Sequence, residues 1–307
     1  MALDVSALTA YTDEISSGLA KQIVLQANTI NGDLVTKKYG VLGNTYKLNY
    51  VKSTMVGTNA LCNNTDAGST VMAQGSITMC PITFAQSICL DTLKGFYYDY
   101  EMERAYDTES LGTFREVFTA NKMESIAIEL DKIIWQGDTV NSGIPGNLDL
   151  CNGLILNASQ LVGEIPVTRV AITSSTAVAY IDSIIAVAPA EILDKLNIYL
   201  SPSDFQAYLL GLRAINLFNY DTQSKGIASI HHPGSIGTTV HSVNGMTGVP
   251  AGTFVATAKE NIVVAFGGND DMSYNEWYSM DLQSFKINSK TKLGTGYYFP
   301  ELVVRSN

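Results

Sequence analysis

Residues 111–136 read LGTFREVFTANKMESIAIELDKIIWQ. Met123, Ile126, Ala127, Leu130, Ile133 and Ile134 recur at the i, i+3, i+4 spacing that lines one face of an α-helix. Asp107 to Ser110 offer polar N-caps upstream. Gly137 follows at once and suits a left-handed helix stop. A helix of this length would span about 39 Å, far beyond the mean of about 11–12 residues. Such a helix is a spine on which other elements are hung, rather than one member of a compact bundle.

Upstream, residues 41–90 change character. Tyr46, Leu48 and Tyr50 alternate with Lys47 and Asn49, which is strand period. Residues 62–69, CNNTDAGS, are turn chemistry, and a second extended run passes through Ile77, Met79 and Ile82. The pattern predicts a long two-stranded excursion. An isolated hairpin is marginal in water, so this one is expected to lie on something else. Residues 1–40 read as an arm with a single amphipathic stretch, Ile15 to Ala27, and too little apolar content for a core of its own.

Downstream of the turn-rich SGIPGN (142–147), residues 150–270 mix helix and strand patterns. Val178, Ile181, Ile184, Ile185 and Ala188 form one helix face, with Ser174 or Ser175 as the expected cap and Pro189 at the end. Strand patterns follow at Thr239–Val243, Thr253–Ala258 and Ile262–Phe266, and again over Leu282–Val304. Between them stands NIYLSPSDFQAYL (197–209). A nucleophile elbow would need small residues flanking Ser201, but Leu200 precedes it and Pro202 follows. Ser-Pro-Ser-Asp is instead an N-cap, a proline at the first helical position and an acid at the third.

Composition narrows the function classes. Of 307 residues, 46% are hydrophobic and only 16% charged, below the roughly 25% charged share of ordinary soluble chains. Surface of that kind is suited to burial against other copies. The formal net charge is −10, and Lys and Arg form no run. Gripping nucleic acid by counterion release needs grouped cations. No apolar stretch is long enough for a spanning helix. The opening Met1-Ala2-Leu3-Asp4 carries no basic or apolar export signal, which leads us to expect a chain that stays in the cytoplasm.

The chemical candidates each reduce to something plainer. Cys62, Cys80, Cys89 and Cys151 show no CxxC pair and are expected to be free, packed thiols. His231, His232 and His241 have no ligand set around them and read as surface or edge-strand histidines. Glu101/Glu103 and Asp270/Asp271 lack calcium-loop spacing and read as solvated loop charge. Phosphate-binding glycine motifs are missing. The sequons at Asn63 and Asn157 have no secretion signal to give them weight. With no catalytic, cofactor or metal constellation, the expectation is a chain that is not an enzyme and carries no cofactor.

The order of parts, together with ESIAIELDKIIWQGD (124–138), GIPGNLDLCNGLIL (143–156), NIYLSPSDFQAYL, GTFVATAKENIVVAFGG (252–268) and SFKINSKTKLGTGYYFPELVV (284–304), resembles the major capsid protein of tailed bacteriophages. The resemblance covers most of the chain from about residue 41. It implies an α+β fold of four parts. These are an N-terminal arm (1–40), an extended hairpin loop (41–90), a peripheral domain (91–149 and 270–295) with spine helix 111–136, and a mixed axial domain (150–269 and 296–307). It implies a virion shell subunit, assembled in a host bacterial cytoplasm into pentamers and hexamers. Its partners would be a separate scaffold protein, a portal and decoration proteins, with no sequence-specific nucleic acid and no membrane. Some relatives cross-link a lysine to an asparagine between subunits. Lys47 and Lys52 lie on the excursion, but no acceptor or catalytic acid is matched to them. An encapsulin-like compartment shell or a tail-tube subunit is the alternative.

Overall fold

The computed structural model describes residues 28–56, 68–89, 114–140, 147–215, 228–268, 271–281 and 284–307. Its long helix, α2 (Phe114–Gln136), follows the short α1 (Asn28–Asn31). Twenty-three residues give an axis of about 34 Å. Met123, Ala127, Leu130, Ile133 and Ile134 are buried, as the spacing predicts, and Trp135 joins them. Together they pack on Ile82, Phe266, Tyr274, Ile287 and Leu293. The expected start at 111–113 and the caps at 107–110 lie outside the described residues.

The stop differs from expectation. Gly137 is not among the residues with positive φ. It is required by close approach: a Cβ there would strike the Cys151 carbonyl oxygen and lie 2.8 Å from that of Ile133. The chain after α2 is then tied down by Asp138 N–H to Leu148 O and Gly153 N–H to Gly137 O, each 2.7 Å.

The sheet beneath α2 contains β1 (Thr36–Val41), β4 (Cys80–Cys89), β10 (Ile262–Gly267), β11 (Ser273–Ser279) and the 14-residue β12 (Ser284–Tyr297). Strand β12 pairs antiparallel with β4 along Ser284–Leu293, with β11 along Ser284–Lys290 and with β10 along Leu293–Tyr297. Strand β1 joins β10 in parallel. Residues 28–40, expected as part of an N-terminal arm, pack into the body. Thr29, Ile30 and Val35 are buried there. Asp33 is clamped by Lys37 at 3.3 Å and by Lys259. The amphipathic stretch Ile15–Ala27 lies outside the described residues.

A second sheet has the order β5 (Ile165–Val167), β13 (Val304–Ser306), β9 (Phe254–Ala258), β6 (Leu196–Leu200), β8 (Thr239–Ser242), β7 (Ser229–His231). Its central strands β9 and β6 are buried along nearly their whole length and are apolar apart from Thr257 and Asn197. Ile198, Leu200, Phe254 and Ala256 face α4 (Ala177–Val187) and α5 (Pro202–Ala214). Tyr199 and Val255 face the spine helix, where the Tyr199 and Trp135 rings lie 5.2 Å apart.

Helix α5 begins as the sequence predicts. The Ser201 hydroxyl accepts the Asp204 N–H at 3.2 Å and Pro202 holds the first helical position. The Asp204 carboxylate then accepts the Gly252 N–H at 3.0 Å, bolting the helix start to a neighbouring turn. Helix α4 is capped otherwise than expected. Neither Ser174 nor Ser175 serves. The Thr173 carbonyl accepts the N–H groups of Thr176 and Ala177 at 3.1 and 2.9 Å, and Thr176 Oγ1 accepts the Thr173 N–H at 3.1 Å. The helix ends before Pro189, with Ala188 extended as a residue preceding proline must be.

Candidate assembly surface

The third sheet is a ribbon of two strands, β2 (Thr45–Thr54) and β3 (Ser69–Thr78), paired over ten registers from Thr45↔Thr78 to Thr54↔Ser69. The excursion is shorter than the sequence predicts. The chain breaks at Met79, whose N–H donates to Asn44 O at 2.9 Å. The following run through Ile82 becomes β4 and pairs with β12 instead.

Alternation gives the ribbon two different faces. Tyr46, Leu48, Tyr50 and Ile77 turn toward the body. Leu48 and Ile77 are buried with Val41, Met79, Val263 and Ala265. Gly294 and Gly296 make that possible, since a Cβ on either would lie 2.7 Å from the Ile77 side chain. Farther out, Tyr50 meets the edge of Phe299 at 5.2 Å, and Lys52 Nζ reaches Glu301 Oε1 at 2.7 Å. That ion pair is exposed and therefore screened by salt. On the other face, Gln74 donates to Asn49 at 2.6 Å and Ser53 meets Thr70 at 3.0 Å. Between these polar pairs stand Val51 and Met72, directly opposite each other.

From Val51 and Met72 outward, every described residue of the ribbon is exposed. Met55 is 90% exposed, Met72 81%, and Val51, Val56 and Val71 are all more than half exposed. Full burial of one such side chain stabilises by about 1.5–3 kcal/mol, and methionine adapts its shape to a partner. The outer ribbon therefore carries apolar side chains that the described residues of its own chain leave exposed. Beneath its root lies a cleft of about 490 Å³ lined by Tyr50, Ile77, Cys80, Cys151, Asn157 and Tyr297, among others.

The structure rearranges several residues that the sequence left apart. Cys80 and Cys151 are joined as a disulfide, which corrects the expectation of free thiols for these two. Their 71-residue separation hides the pairing. It arises because β4 and the turn after α2 meet at the end of β12. Cys62 lies outside the described residues.

The histidines also depart from expectation. His231 is an edge-strand residue as predicted, but His232 is buried, with Nδ1 2.7 Å from Tyr208 Oη and Nε2 2.8 Å from Asp182 Oδ1. His241 is mostly buried, stacks on Tyr199 at 5.5 Å and donates Nε2–H to Asn197 Oδ1 at 3.0 Å. Burial first, and then the nearby His231, hold its pKa down at about 4.

Asp131 on α2 is another buried group that the sequence did not single out. It accepts the Thr29 N–H at 3.0 Å, and the Thr29 hydroxyl accepts from Trp135 Nε1 at 2.7 Å. Burial pushes the Asp131 carboxyl up from its ordinary value, against the pull of the Thr29 hydroxyl and the Thr29 and Gly245 N–H groups. This cluster seats the start of the described chain on the spine helix. Asp271 pairs with Lys292 at 3.5 Å. Asp270, Glu101, Glu103 and Asn63 lie outside the described residues. Asn157 donates to Thr295 O and Oγ1 at 3.0 and 2.7 Å. Among the described residues, no three His, Cys, Asp or Glu side chains gather where they could hold a metal ion, and no helix is long and apolar enough to cross a membrane.

The described chain thus sets a spine helix over a long-stranded sheet, beside a second mixed sheet and a projecting ribbon. No protein-family model matches the sequence, and no curated protein matches it either. Solved structures do match. The satellite phage P4 procapsid, which includes the size determination (Sid) protein, superposes with a TM-score of 0.58 at 10% identity, covering 94% of this chain and 98% of that one. The capsid of an empty GTA particle gives 0.57 at 10% identity over 92% and 89%. A virus-like particle from Pyrococcus furiosus gives 0.50 at 10% identity over 97% and 99%. The chain has the α+β fold of tailed-phage capsid subunits.

Proposed function

We propose that the chain is the major capsid protein of a tailed bacteriophage, a structural subunit that self-assembles into the icosahedral shell around double-stranded DNA. The observation that carries this reading is the projecting ribbon. Its outer half presents Val51, Met55, Val56, Val71 and Met72 to solvent, on a fold otherwise shared along nearly the whole chain with capsid subunits. Mechanism here is assembly. The spine helix supplies a rigid span. The mixed domain packs around the axes of pentamers and hexamers, and the ribbon and arm clasp neighbouring copies through heterologous contacts that close a shell. A scaffold protein, a portal and decoration proteins complete the partners, and the product is a virion built in the host cytoplasm.

A second reading, a compartment shell enclosing protein cargo, is favoured by the match to the Pyrococcus furiosus particle over nearly all of both chains. Electron microscopy of the chain expressed alone, and with a scaffold protein, tests both. The capsid reading expects closed shells only, or far more often, with scaffold. Uniform shells that form without help and co-purify with a protein cargo favour the compartment. Monodisperse monomers under both conditions overturn the shell reading altogether.

A further inference from the structure

We propose that the Cys80–Cys151 disulfide is a redox-responsive staple that fixes the root of the β2–β3 ribbon to the body, opened and closed by a small thiol entering the cleft beneath the ribbon. The placement is specific. Cys80 opens β4 two residues beyond Thr78, the last residue of the ribbon. Cys151 lies in the connection between α2 and α3 (Leu154–Gln160), held by the backbone bonds of Asp138 and Gly153. The bond thus ties the strand that leaves the ribbon to the far end of the spine helix. It is also reachable. Both cysteines line the cleft. Cys151 is 1% exposed, whereas Cys80 is only half-buried, so Cys80 is the more accessible partner for attack.

The exchange balances without any group beyond the thiol. A small thiolate, RS⁻, attacks Cys80 Sγ, the Sγ–Sγ bond breaks, and the Cys151 thiolate leaves and takes up a proton. A second RS⁻ attacks the mixed disulfide, releasing RSSR and leaving the Cys80 thiolate, which is protonated in turn. Two thiols are oxidised to one disulfide and the protein disulfide is reduced to two thiols; closure is the reverse. With the bond open, the ribbon keeps its pairing and its small apolar seat but loses its covalent tie to the spine. Under the shell reading, on which the functional consequence rests, the redox state sets how stiffly the ribbon holds a neighbour.

The test uses the full chain. Peptide mapping without reduction is expected to recover a Cys80–Cys151 linked peptide; its absence overturns the proposal. Dithiothreitol is expected to lower the Tm of the wild type by roughly 5–10 °C and leave the Cys80→Ala/Cys151→Ala variant unmoved. An equal shift in both, or none in the wild type, overturns it. Should the variant not fold, the wild type across a glutathione redox series decides: linked peptide and Tm fall together if the staple is real. Reduction is also expected to raise proteolytic cleavage within 41–79 several-fold, and a cleavage rate indifferent to reduction overturns the hold on the ribbon. Measured on unassembled subunits, these results stand apart from whether particles form, which tests the shell reading separately.

Discussion

At the scale of the residue, the buried ionisable groups make the chain sensitive to acid in a direction that can be stated. His241 is held neutral, with its pKa lowered from 6.5 to about 4. A depressed folded pKa means that the unfolded chain binds the proton first. The stabilisation is whole above about 6.5 and is lost as pH falls toward 4, by an amount on the order of 2 kcal/mol. The groups around the ring are Tyr199 beneath it, Asn197 at Nε2 and His231 on the neighbouring strand. His241→Gln keeps a donor toward Asn197 and removes the titration. Its urea midpoint should fall less than that of the wild type between pH 6.5 and 4; parallel curves would refute the assignment. Asp131, whose pKa is raised, acts in the opposite sense, and comparing both proteins at each pH cancels it. Which residues could be read in advance follows from range. The Ser201 cap is a contact of i to i+3 and was legible. The His232 partners lie 24 and 50 residues away, and no local pattern announces them.

At the scale of the element, the ribbon separates folding from association. Met55 and Met72 are almost fully exposed, so Met55→Ser/Met72→Ser should leave subunit stability within about 0.5 kcal/mol per site. If the two side chains are buried against a neighbour, their loss removes about 1.5–3 kcal/mol each from every such contact, and each 1.4 kcal/mol is a tenfold change in affinity. Sedimentation should therefore show an unchanged subunit whose assembly needs at least tenfold more protein. Assembly at the wild-type concentration would remove the ribbon from the interface. The sequence made the spine helix, the ribbon and the Ser201 junction legible because each declares itself by local period or capping. It misplaced the end of the ribbon and the beginning of the body for one reason. Strand period says that residues 77–82 and 36–41 are extended, but the partners that claim 80–82 and 36–41, β12 and β10, lie more than two hundred residues away.

At the scale of the whole molecule, charge and apolar surface pull association in opposite directions. Each copy carries a formal charge of −10, so copies repel as they approach, while the exposed apolar ribbon gains from contact at any ionic strength. Salt acts on the first term and leaves the second nearly untouched. Raising ionic strength from about 0.01 to about 0.15 M shortens the screening length from roughly 30 to roughly 8 Å, which removes most repulsion between subunits that are not yet touching. Ion pairs at contacts would be weakened by the same change, and Lys52–Glu301 shows that the ribbon already engages one lysine within its own chain. If apolar burial dominates the interface, light scattering should show assembly becoming faster, and starting at lower protein concentration, as salt is added across this range. Assembly that slows with salt would mean that complementary charges between copies, rather than the ribbon's apolar side chains, drive association.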